Sequence, residues 1–159
     1  DCGGTSINLV TLHLKPYSGE SYDNYRLYEI TEILASTIGA AKYSERKNWI
    51  MTGDFNSKSP YDSEYYTDGE SAYLVHRHIA SNSSLVDLMH EMYPGRLISS
   101  TSYSRIDYMY MSPELHDRVT DACMVVDSWV TPELTSAELS NFRLPSDHRP
   151  ILVQIALKH

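Results

Sequence analysis

Apolar positions follow two rhythms along this chain. From Ser6 to Leu14 they cluster and alternate as Ile7, Leu9, Val10, Leu12 and Leu14. That pattern predicts a short buried strand, with His13 on the face opposite Leu12 and Leu14 near its C-terminal end. From Tyr22 to Lys42 the step lengthens to three and four, and Leu27, Ile30, Leu34, Ile38 and Ala41 share one face of a helix. Arg26, Glu29 and Glu32 fall on faces expected in water, and Ser21 or Asp23 can cap the start. Asn48 to Thr52 returns to a strand, through Trp49, Ile50 and Met51, and delivers Gly53-Asp54-Phe55-Asn56 at its end. Strand, helix and strand suggest a crossover unit, with a mixed sheet equally compatible.

Beyond this unit the pattern is more broken. Ser57 to Gly69 is polar and reads as an exposed loop, Glu70 to Ala80 as a shorter helix, and Leu85 to Met92 as a second helical or turn segment. Arg105 to Met111 predicts a strand with Ile106 and Tyr108 on one face and Asp107 on the other. Pro113 to His116 suits a turn of helix. Arg118 to Val130 suggests one bent or two short strands, Thr131 to Pro145 a long loop, and Ile151 to Leu157 a strand closing the sheet.

At 159 residues and 42% hydrophobic content the chain suffices for a single domain, residues 1–159, with a real core. Its formal charge of −8 argues against tight sequence-independent nucleic-acid binding, which rests on Lys and Arg neutralising phosphates. Small phosphate esters and a local basic groove stay compatible with it. Two cysteines, Cys2 and Cys123, are too few for a disulfide framework. No stretch is long and apolar enough for a membrane span. The first residue is Asp, which reads as a processed, trimmed or partial chain and leaves the compartment undetermined.

The candidate chemistry lies at four predicted strand ends. They are Thr11-Leu12-His13-Leu14, Gly53-Asp54-Phe55-Asn56, Arg105-Ile106-Asp107-Tyr108 and Ser146-Asp147-His148-Arg149-Pro150. Together they carry three carboxylates, two histidines and an amide. Hydrolysing a phosphate ester uses such a set: carboxylates for a divalent cation, a base or orienter for water, and donors for developing charge. Histidine can pair with an acid, donate to a phosphoryl oxygen and move a proton. His76, His78, His90 and His116 have no such partners in the sequence and read as surface or packing residues.

These segments, in this order, resemble the endonuclease/exonuclease/phosphatase superfamily over about Ile7 to Leu157. The resemblance implies an α/β mixed sheet with flanking helices, as the C-terminal half of a four-layer α/β/β/α sandwich of deoxyribonuclease I type. It implies a hydrolase of phosphodiesters or phosphomonoesters, with His148 as catalytic histidine and Asp107 as the carboxylate that orients and charges it. Asp54 and Asn56 match the pair positioning water, phosphate and a metal, Asp147 a metal-proximal carboxylate, and His13 a second histidine contacting a phosphate oxygen. Arg105 matches a structural arginine. The implied cofactor is a divalent metal, Mg²⁺ first, with Mn²⁺ or Ca²⁺ as alternatives. Implied substrates are nucleic acid, inositol phosphate or a phospholipid head group. The alternative is a non-catalytic binding or scaffolding relative of the same fold.

One departure stands out. The Asn and Glu expected on a first strand of the family have no counterpart before His13. The chain therefore reads as a C-terminal half, incomplete as an enzyme by itself and poor in metal affinity. The inner face of its sheet is expected to be apolar and covered by an N-terminal half or a second copy.

Overall fold

The computed structural model describes residues 4–101, 103–125 and 146–157. The elements run β1 (Asn8–His13), α1 (Glu20–Ser36), β2 (Trp49–Asp54), α2 (Leu74–Asn82), β3 (Val86–Asp87), α3 (Leu88–Met92), β4 (Asp107–Met111), α4 (Pro113–His116), β5 (Val119–Met124) and β6 (Ile151–Ile155). Single 3-10 turns occupy Ala41–Tyr43, Pro60–Tyr65 and Glu70–Tyr73, the last running directly into α2.

Two sheets form. The larger has the order β1-β2-β4-β3, and β5 pairs with β6 in a separate two-stranded sheet. β1 and β2 are parallel and joined through α1, which is the expected crossover, while β4 runs antiparallel to both β2 and β3. The sheet is thus mixed. Side-chain alternation along the strands divides the core in two. Trp49, Met51, Tyr108 and Tyr110 pack with Ile30 and Leu34 of α1 and Val75 and Ile79 of α2. Ile50 and Met111, on the opposite face, share a second cluster with Leu88 and Met89 of α3, Ala122 and Met124 of β5, and Ile151, Val153 and Ile155 of β6. That opposite face is apolar at its lower end only. Its upper end carries Thr11, His13, Thr52, Asp54 and Asp107, so the expectation of an apolar inner face holds for half of it.

Several local expectations are corrected. α1 stops at Ser36 rather than Lys42, because the Gly39 N–H turns back to the Leu34 carbonyl (2.8 Å) and ends the helix. Arg26 is buried rather than in water: it pairs with Asp23 and donates to the carbonyls of Lys15 and Tyr17 (2.7 and 2.8 Å), holding the β1–α1 loop onto the helix. Ser57 to Gly69 is not an exposed loop throughout, since Ser57, Ser59 and Asp62 are buried and Pro60–Tyr65 coils tightly. Leu85 to Met92 splits into β3 and α3, because Asp87 caps α3 by accepting from the His90 N–H (3.3 Å). Ile151 to Ile155 closes no sheet with β1 to β4 and pairs with β5 instead. Cys2, Val126 to Val130 and the Thr131 to Pro145 loop lie outside the described residues.

Candidate active site

Strand register builds most of the site. His13 is the partner of Asp54 across the β1–β2 pair, and Asp54 is the partner of Asp107 across β2–β4. Three side chains from three neighbouring strands therefore stand on one rung. Alternation puts all three on the face away from α1 and α2. Gly53 makes this rung possible. Its φ is +142°, and a Cβ there would lie 1.9 Å from the Leu12 carbonyl oxygen, so only glycine lets β1 and β2 approach at their ends.

The fourth member arrives from the other sheet. His148 precedes β6, and its backbone N–H is held by the Ser146 hydroxyl (3.0 Å). His148 Nδ1 lies 2.8 Å from Asp107 Oδ2 and 3.9 Å from Asp54 Oδ2. A carboxylate can only accept, so Nδ1 carries the proton and donates to Asp107. Burial by itself would lower the basicity of His148. The hydrogen bond to Asp107 and the charges of Asp107, Asp54 and Asp147 outweigh it, and the imidazole pKa is raised above its usual value. The Asp54 carboxyl is pushed up by burial, against the Asn56 N–H that lowers it, with the charge of Asp107 adding to the rise.

The remaining candidates sit around this pair. His13 Nε2 is 3.6 Å from Asp54 Oδ2 and is largely exposed. Asn56 has a left-handed backbone (φ 46°), which turns its N–H onto Asp54 Oδ1 (2.8 Å) and its side-chain amide onto the Leu14 carbonyl (3.0 Å). Asp147 is exposed, with Oδ1 3.9 Å from His148 Nε2. Among the described residues, Asp54, Asp107 and His148 offer ligand atoms all within 4.8 Å of one another. Two of these groups are half-buried carboxylates, the hard oxygen donors that a divalent cation takes.

The supporting residues were legible in the sequence only in part. Arg105 is buried between Asp62 Oδ2 (2.7 Å) and Asp87 Oδ1 (2.8 Å), with its guanidinium over the Tyr108 ring. The Tyr108 hydroxyl donates to the Arg105 carbonyl (2.8 Å) and accepts the Ser59 N–H (2.9 Å). His76 is buried against Phe55 and Tyr108, with Nδ1 2.7 Å from the Tyr110 hydroxyl. The family resemblance pointed to a structural role for Arg105. Nothing in the spacing of Asp62, Asp87 or His76 pointed to theirs.

This architecture is the fold of the endonuclease/exonuclease/phosphatase proteins, the deoxyribonuclease I-like fold. An AP endonuclease from Archaeoglobus fulgidus superimposes with a TM-score of 0.67 at 16% identity, over 95% of this chain and 62% of its own. A 3'-5' exonuclease from Neisseria meningitidis gives 0.67 at 15% identity, over 95% and 62%. The mannosyl-6-phosphatase Bt3783 of Bacteroides thetaiotaomicron gives 0.59 at 19%, over 98% and 53%. The chain thus spans between half and two-thirds of the length of these three structures. No protein-family model and no curated protein matches it.

Proposed function

We propose that this chain is the catalytic C-terminal half of a metal-dependent phosphoesterase. The observation that carries this reading is the 2.8 Å bond between His148 Nδ1 and Asp107, with Asp54 on the same rung. In the reaction a water oxygen bonds to phosphorus as the P–O bond to the leaving group breaks. Asp107 holds the His148 ring and raises its proton affinity, so Nε2 offers a proton to a phosphoryl oxygen near neutral pH. Asp54, with its pKa raised, accepts a proton from the attacking water, and the Asn56 N–H fixes its orientation. His13 donates to a second phosphoryl oxygen. A divalent cation, Mg²⁺ first and Mn²⁺ or Ca²⁺ otherwise, would be held by Asp54, Asn56 and Asp147, with Asp107 kept by its bond to His148, and would neutralise charge on the phosphoryl oxygens.

The substrate is a phosphate ester. Nucleic acid, an inositol phosphate and a phospholipid head group all present the required group, and the net charge of −8 weighs against duplex DNA. The remaining half of the fold, or a second copy of this chain, covers the sheet faces left open here. The test is turnover of bis(p-nitrophenyl) phosphate and p-nitrophenyl phosphate, with both halves of the fold present, with and without EDTA, and again after His148→Ala. Loss of turnover with EDTA and in the variant supports the reading. EDTA-sensitive turnover surviving in His148→Ala overturns the role of that residue. An absence of turnover with every phosphate ester favours a non-catalytic binding relative.

A further inference from the structure

His148 and Asp107 come from different sheets and lie 41 positions apart, yet they meet at 2.8 Å. Something must hold the two backbones at that spacing. β4 begins at Asp107 and β6 at Ile151, and the two strands share no ladder. The segment that touches both sides is Ser99-Ser100.

Ser100 is fully buried. Its hydroxyl oxygen accepts two consecutive backbone N–H groups, those of Ile106 (2.9 Å) and Asp107 (3.0 Å). Its carbonyl accepts the N–H of Arg149 (2.7 Å), the residue after His148, and its own N–H donates to the Ser104 carbonyl (3.0 Å). Ser99 adds a second tie, since its carbonyl accepts from Arg149 Nη1 (3.0 Å). Ile106 in turn accepts the Phe55 N–H at its carbonyl (2.8 Å), next to Asp54. One small side chain and one carbonyl thus join three strand ends. None of these bonds goes to a side chain that would touch substrate.

We infer that Ser100 is a positioning residue for the phosphoesterase reaction, a clamp that sets the distance between Asp107 and His148 across the two sheets. The inference rests on the function proposed above. A hydroxyl suits the task because one oxygen can accept two adjacent N–H groups, whereas a methyl group would strand both amides in the interior. Misplacing a reacting group by about 1 Å can cost rate on the order of a hundredfold.

The experiment compares Ser100→Ala and Ser100→Thr in three backgrounds: the otherwise unaltered protein, Asp107→Asn and His148→Ala, all with both halves of the fold present. In the first background, Ser100→Ala is expected to lower kcat about ten- to a hundredfold with KM little changed. Ser100→Thr keeps the oxygen and is expected to recover most of the rate. In the Asp107→Asn and His148→Ala backgrounds, Ser100→Ala should cost almost nothing more, because the pair it aligns is already broken. A general loss of structure would instead reduce rate equally in every background, and that result overturns the inference. If Ser100→Ala fails to fold, amide hydrogen exchange decides. Ser100→Thr, which keeps both the hydroxyl oxygen and the carbonyl, should keep slow exchange at Asp107 and Arg149. Fast exchange at Asp107 and Arg149 in Ser100→Thr, together with full kcat, also overturns it. Hydrogen exchange reads the clamp without turnover. An inactive protein with a protected Asp107–Arg149 pair would therefore refute the phosphoesterase reading while leaving the clamp intact.

Discussion

Two buried or half-buried histidines carry opposite pH signatures, and each signature follows from its partners. His148 faces Asp107, Asp54 and Asp147, so its pKa is raised in the folded state. Its contribution to stability is therefore fully present below its unfolded pKa and fades as pH rises through the higher folded value. Asp107→Asn removes the charge that supports the imidazolium while keeping the side-chain shape. The expected result is a 10²- to 10⁴-fold drop in kcat, as for loss of a general acid–base partner, with the alkaline limb of the pH–rate profile moving to lower pH. His76 is the reverse case. Burial first, and then the charge of Arg105, push its pKa from 6.5 to about 3, against the Ser57 carbonyl that raises it. The unfolded chain binds a proton that the native state refuses, so this stability is present above 6.5 and is lost as pH falls toward 3. Between pH 7 and pH 4.5 the loss from this one residue is about 3 kcal/mol at ~1.4 kcal/mol per unit. Urea melts at the two values should show that difference shrinking in His76→Gln. An unchanged difference would mean that carboxylates alone drive acid unfolding.

At the scale of elements, the site depends on how strand ends are held together. Gly53→Ala would drive a Cβ into the Leu12 carbonyl, and backbone on both sides leaves no room to relax. The expected cost is about 3 kcal/mol, with β1 and His13 displaced, measurable as a fall in midpoint and loss of β1 amide protection. Arg105→Met leaves Asp62 and Asp87 buried without their cation. That should cost roughly 3–5 kcal/mol, whereas a triple change with Asp62→Asn and Asp87→Asn should recover part of it. The strand ends were legible in the sequence because their chemistry is concentrated in short motifs: Gly-Asp-Phe-Asn sits where an apolar run stops and Arg-Ile-Asp-Tyr where one starts. β1, α1, β2 and β4 were legible for the same reason, their periodicity being continuous. What stayed hidden is long-range. Ser99 and Ser100 look like any polar loop, since a hydroxyl's value depends on which N–H groups folding brings to it. Arg26 carries a charge on a helix and so reads as solvent-facing, yet three oxygen partners make its burial tolerable. β3 is two residues long, too short for any alternation to register.

Across the described residues, one face of the four-stranded sheet is better covered than the other. α1 and α2 bury one face of the four-stranded sheet, while the opposite face is covered in part by α3 and the β5–β6 pair. Leu9 on that face is 61% exposed, and Leu152, pointing away from the apolar side of β6, is 60% exposed. This chain spans 62% and 53% of two solved proteins of this fold, and the further half of the fold proposed above would cover both leucines. The proposal has a measurable consequence. In the chain alone, Leu9→Asp and Leu152→Asp alter exposed positions and should shift stability by no more than about 0.5 kcal/mol. With the other half in place, each should cost about 2–3 kcal/mol, the scale of burying a leucine plus an unpaired charge. Thermal melts of both forms make the comparison. Equal small effects in the two would show that neither leucine is covered. A large effect in the chain alone, together with a concentration-dependent melting temperature, would identify a second copy of this chain as the cover instead.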